Sequence, residues 1–153
     1  MSKTFSMQPL VHLAHQKNED ATRKFGQLIQ QQQAAQTKLQ TLEQYRADYQ
    51  VRLQQAVVNG IDQSSLSNFH EFIHRLDEAI AQQRKVFEQS HLLMQAGRNE
   101  LANAQRNMKS FDTLAQRHLE NEKKLQDKRE QRQQDDHTRR HSALRAGIAQ
   151  EEI

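Results

Sequence analysis

Residues 70 to 74 read His-Glu-Phe-Ile-His, a literal H-E-x-x-H, the pattern with which zinc peptidases hold their metal. His70 and His74, four residues apart, share one face of a helix, and Glu71 stands where the general base would be. That chemistry also needs a third ligand and a cleft that excludes bulk water. Phe72 and Ile73 fall on or beside the apolar stripe of their helix, which leaves both histidines on its outer side. Two solvated surface histidines in a chance pattern are the better reading. His137 and His141 repeat the spacing and take the same reading.

Other reactive constellations are missing. The chain has no glycine-rich phosphate loop, and none of its serines sits in a nucleophile elbow. Its carboxylates are scattered along charged stretches, with no pocket to shift their pKa values. It has no cysteine, which excludes disulfides and thiolate metal sites. A non-enzymatic protein with no cofactor and no metal is expected. The net charge of +3 comes from 22 basic and 19 acidic residues mixed along the chain, without the basic patch of a nucleic-acid binder. No secretory signal opens the sequence, and no apolar run approaches the roughly 20 residues that span a bilayer. A cytosolic location is the expectation.

The elements that carry these residues are helical. Only 35% of residues are hydrophobic, too few for a thick core. One proline and four glycines in 153 residues otherwise rich in Gln, Ala, Leu, Lys, Glu and Arg argue for long helix over disorder. Stepping alternately three and four residues from Val11 reaches Ala14, Asn18, Ala21, Phe25, Leu28, Gln32, Ala35, Leu39, Leu42, Arg46, Tyr49, Leu53 and Ala56, and eleven of these fourteen are apolar. The same step from Leu66 reaches Phe69, Ile73, Leu76, Ile80, Gln83, Phe87, Ser90, Met94 and onward to Leu125. A seam two residues wide per heptad, held this long, predicts a coiled coil.

Between the two seams lies the stretch VVNGIDQSSLSN, residues 57 to 68. Asn59-Gly60 suits a helix C-terminus. Ser64, Ser65, Ser67 and Asn68 offer N-cap oxygens, and Asn68 with Glu71 resembles a capping box. So short a connection makes neighbours antiparallel. The expected fold is all-α: one coiled-coil domain over residues 1–153, a long antiparallel two-helix hairpin. Its first helix covers about 8–58, its turn about 59–65 and its second helix about 66–140. Paired residue numbers should add to about 124, bringing Gln32 near Ser90 and Arg46 near Asp77 and Glu78. Residues 117–153 overhang, with a seam that turns polar at His118 and Glu122. This stretch is expected to fray alone or to be ordered by a partner.

The two flanks of the seam differ. In an antiparallel pair, e positions lie beside e and g beside g. The e flank carries Glu43, Gln50, Asp77, Arg84 and Arg98, a charged edge apart from Ile29 and Val57. The g flank carries Lys38, Tyr45 and Arg52, then Phe72, Ala79, Val86 and Leu93. Large apolar side chains where charges are usual make a candidate docking strip, against the alternative that they only thicken the seam.

The segments LEQYRADYQVRL and FHEFIHRLDEAIAQQ, joined by a turn with a single glycine, resemble the FliJ family of bacterial flagellar type III export. The resemblance runs from about Phe5 to about residue 130 and is strongest from Leu42 to Gln83. Its Tyr-x3-Tyr spacing, the Gly60 turn and the Phe-Ile-x2-Leu-x2-Ala-Ile run occur in order, which heptads alone do not demand. It implies a non-enzymatic component similar to the hairpin of the rotary ATP synthase gamma subunit. Such a component binds the export ATPase ring and the cytoplasmic domain of the membrane export gate, and escorts export chaperones. A monomer is expected, peripheral at the cytoplasmic face of the inner membrane, with no nucleic acid and no membrane span of its own. The family's gate-contacting patch maps onto Leu42, Tyr45, Tyr49, Phe72, Leu76, Ala79 and Gln83, while Lys38 departs from the Gln expected there. A stalk protein of a virulence type III system and a self-associating structural coiled coil are the alternatives.

Overall fold

A computed structural model describes residues 7–151. Phe5, where the family resemblance begins, and residues 152 and 153 of the expected overhang lie outside this range. Two helices account for nearly all of it: α1, Gln8–Asn59, and α2, Gln63–Glu151. The protein is an all-α antiparallel hairpin, and no strand occurs among the described residues. Contacts divide the chain into two units, one combining residues 1–14 with 107–153 and the other comprising residues 15–106.

In the 15–106 unit the seam is where the heptad count places it. On α1, every count position from Asn18 to Ala56 is buried or half-buried, and the only other covered side chain there is Ile29. On α2, the count positions from Leu66 to Ala104 are likewise covered, with Ala35, Leu53, Leu76 and Ile80 the most buried apolar side chains of the unit. Among the described residues no large side chain is fully enclosed, as expected where each helix has one partner. Cross-helix pairs agree with the expected register: Lys24 meets Glu100 at 3.3 Å, and Arg46 holds Asp77 through two parallel hydrogen bonds. At Gly97 the helices come so close that an added Cβ would lie 2.6 Å from the Leu28 Cδ1 methyl.

The expected Gln32–Ser90 layer takes a different form. Ser90 donates its hydroxyl to the Phe87 carbonyl one turn back on its own helix, at 2.6 Å. A buried polar bond does cross the seam elsewhere, from the Gln83 amide to the Ala35 carbonyl, at 3.1 Å.

The turn is tighter than the serine-rich sequence suggested. α1 closes with Gly60 at φ 88°, a left-handed residue whose N–H donates to the Val57 carbonyl. α2 then starts at Gln63, so Asn68 and Glu71 lie inside the helix and form no cap. Asp62 is the cap: its carboxylate bonds to Ser65, its backbone carbonyl accepts from Leu66 N–H at 3.0 Å, and the Ser65 contact holds the carboxyl below its ordinary range. Asp62 wins because an ionised carboxylate accepts orphan helix N–H groups more strongly than a serine hydroxyl.

In the other unit, Val11, Ala14, Met108, Phe111, Ala115 and His118 are the covered side chains at the seam positions. His118 pairs with Glu122 at 3.1 Å. From residue 119 to 151 α2 continues as helix with every side chain exposed.

Candidate docking surface

The H-E-x-x-H residues sit on the exposed side of α2. Glu71 is engaged by Arg75 at 2.8 Å, and His74 pairs with Glu78 at 3.2 Å. Among the described residues no group of three or more His, Cys, Asp or Glu gathers where an ion could be held. The pattern therefore contributes ordinary i, i+4 surface pairs. Both histidines are exposed, and Ile73 between them is half-buried in the seam.

The e flank is occupied by ion pairs across the helices. Arg46, a seam residue, reaches toward it and grips Asp77 with Nε on Oδ1 and Nη2 on Oδ2, the second bond 3.5 Å long. That hydrogen bond holds the Asp77 carboxyl below the usual carboxylate range and raises Arg46 in turn. One heptad along, Arg84 meets Glu43 at 3.4 Å. Charges so paired leave little for a partner to recognise.

The g flank is apolar at its surface. Tyr45 is 56% exposed and Phe72 39%, and Val86 and Leu93 are exposed as well. Phe72 stacks on Tyr49, with ring centroids 4.1 Å apart, and Phe69 leans on the same tyrosine at 5.9 Å. Arg52 places its guanidinium 5.7 Å from the Tyr49 ring centre, a cation–π distance. Tyr49, Phe69 and Phe72 line an open depression of about 380 Å³ together with Ser65 and Asn68. Phe69, Ser65 and Asn68 were absent from the expected patch; the recurrence of Phe at 69 and 72, on neighbouring faces of one helix, is the signal that points to the first of them.

The seven expected patch residues thus occupy three different situations. Tyr45 and Phe72 present large surfaces. Leu42, Tyr49 and Ala79 are half-buried beneath them. Leu76 and Gln83 are only 8% and 7% exposed, enclosed between the helices, and support the strip from below.

Comparison with known proteins places this hairpin. The family model described as "Flagellar FliJ protein" matches residues 2–147. The chain belongs to the flagellar FliJ family. The Flagellar FliJ protein of Escherichia coli K12 is 26% identical over 117 residues, covering 76% of this chain and 80% of its own. That of Salmonella typhi is 31% identical over 84 residues, covering 55% and 57%. No solved structure matches the chain. FliJ membership supports a component of flagellar protein export, and among the described residues no helix is long and apolar enough to cross a membrane.

Proposed function

We propose that this FliJ-family chain is a non-enzymatic, monomeric adaptor of the flagellar type III export apparatus. In this reading it binds the export ATPase ring and the cytoplasmic domain of the membrane export gate, and escorts export chaperones at the cytoplasmic face of the membrane. The gate docks on the g flank, over Leu42, Tyr45, Tyr49, Phe72, Leu76, Ala79 and Gln83. The observation that carries the reading is the contrast between flanks: ion pairs along one, and Tyr45, Phe72, Val86 and Leu93 exposed along the other. Exposed aromatics on an otherwise polar surface are the side chains most often responsible for binding energy at interfaces.

The test is the double substitution Tyr45→Ala with Phe72→Ala. Two such hot spots at about 2 kcal/mol each should weaken gate binding at least about a hundredfold, since about 1.4 kcal/mol is tenfold. Stimulation of the ATPase, assigned here to the segment from residue 117 to about 140, should survive. Gate affinity unchanged by the double substitution would remove the docking assignment.

A further inference from the structure

The g flank differs from the e flank in a second respect. Beyond one ion pair at its end, its cations have no carboxylate partner. At one end Lys24 pairs with Glu100. Beyond it the α1 side continues Lys38, Tyr45, Arg52 at heptad spacing, and the α2 side offers Phe72, Ala79, Val86 and Leu93, with no acid among them. Lys38 forms no ion pair with any described residue. Arg52 contacts the Tyr49 ring, and Asp48, one turn back on the same helix, accepts from Gln44 at 3.0 Å instead. The flank is therefore a row of cation, aromatic and cation above an apolar shelf, whereas the opposite flank pairs Arg46 with Asp77 and Arg84 with Glu43 and leaves only Arg98 on the Phe25 ring.

Apolar residues at g widen a two-helix seam into the broader face of a bundle helix, which another helix can cover. From these features we infer that the g flank takes an acidic amphipathic helix from a partner, packed along the hairpin as a third helix. Its apolar stripe lies on Tyr45, Phe72, Val86 and Leu93. Its carboxylates meet Lys38 and Arg52, which are two heptads apart, about 21 Å along the axis at about 1.5 Å per residue. A basic helix is rejected, because it would set like charges against two unpaired cations. This inference rests on the g flank being the docking surface, and it adds the chemistry of the occupant.

The test uses the full chain and two synthetic amphipathic peptides with identical apolar residues. One carries Glu, and the other Lys, at the two positions spaced to meet Lys38 and Arg52. The Glu peptide should bind at least about tenfold more tightly at low salt, and the preference should collapse toward 1 M NaCl, where the screening length is about 3 Å. In the Lys38→Gln, Arg52→Gln variant the preference should vanish, while Tyr45→Ala with Phe72→Ala should lose both peptides. Equal binding of the two peptides, a preference that persists without Lys38 and Arg52, or no binding of either peptide overturns the inference. Gate binding by the Tyr45→Ala, Phe72→Ala variant is measured beside it. If that variant loses the gate while the wild-type chain shows no charge preference, the docking surface stands and only the acidic helix falls.

Discussion

The side-chain amide of Gln83 on α2 donates to the backbone carbonyl of Ala35 on α1, across 3.1 Å, in a seam otherwise lined mainly by apolar groups. A polar side chain satisfied at one level of a seam penalises every other register, because a slipped pairing would bury its amide unbonded. Gln83→Leu should keep most of the hairpin's stability, since an apolar side chain of similar size fills the site. Gln83→Ala should cost about 1–2 kcal/mol through the lost bond and the space left behind. Urea unfolding of both variants distinguishes them. If Gln83 acts on a partner only through register, gate binding should follow hairpin stability; Gln83→Leu that is fully stable yet loses the gate would show a direct contact.

Acid should loosen the 15–106 unit. Asp77 has its folded pKa lowered, first by the hydrogen bond from Arg46, which outweighs the opposing effect of burial, and further by the charges of Arg46 and His74. A lowered folded pKa means that the stabilisation is present above the unfolded value, about 3.9, and is lost as pH falls through the folded one. Asp62 behaves in the same sense through Ser65. Melting temperature should therefore be flat from neutrality to about pH 5 and fall below about pH 4. Asp77→Asn should melt lower than wild type at neutral pH and lose less on acidification, which thermal melts by circular dichroism at both pH values will read.

Two glycines with open space around them should respond in opposite directions. Gly26 lies in the interior of α1, and an added Cβ would meet nothing within 4 Å. Gly26→Ala should raise stability by about 1 kcal/mol, because glycine carries the larger backbone entropy into a helix. Gly60 has equal room but sits at φ 88°. Gly60→Ala should lower stability by about 1–2 kcal/mol, the cost of a left-handed backbone with a Cβ. Denaturant melts of the two single variants measure both signs.

Seam and flank should separate in a stability scan. Leu53 and Ile80 are buried between the helices, so alanine at either should cost about 2–5 kcal/mol. Tyr45 is mostly exposed, and its loss should cost less than about 1 kcal/mol. Phe72 falls between, because its stacking on Tyr49 adds about 0.5–1.5 kcal/mol to a partly exposed side chain. A Tyr45→Ala variant as unstable as Leu53→Ala would mean that the tyrosine belongs to the core and leaves the docking strip.

Periodicity determined the two helices and the residues that share the seam, because a two-residue stripe repeated over many turns can be buried only against another such stripe, and the short connection between them made the pairing antiparallel. It also separated the g flank from the e flank, since heptad position dictates which side chains lie beside the seam. Other features depended on the assembled backbone. Asp62 displaced the serines and Asn68 as the cap because helix start is a competition among neighbouring acceptors, decided by which one reaches the free N–H groups. Gln83 turned inward to Ala35, and Ser90 back to Phe87, because each amide or hydroxyl bonds the carbonyl that packing brings within reach. Spacing brought Arg46 near both Asp77 and Glu78 but could not choose Asp77, nor say that Lys38 and Arg52 would have no acid across the groove. Ion pairing depends on the axial stagger and the reach of long side chains, and only the packed helices set those.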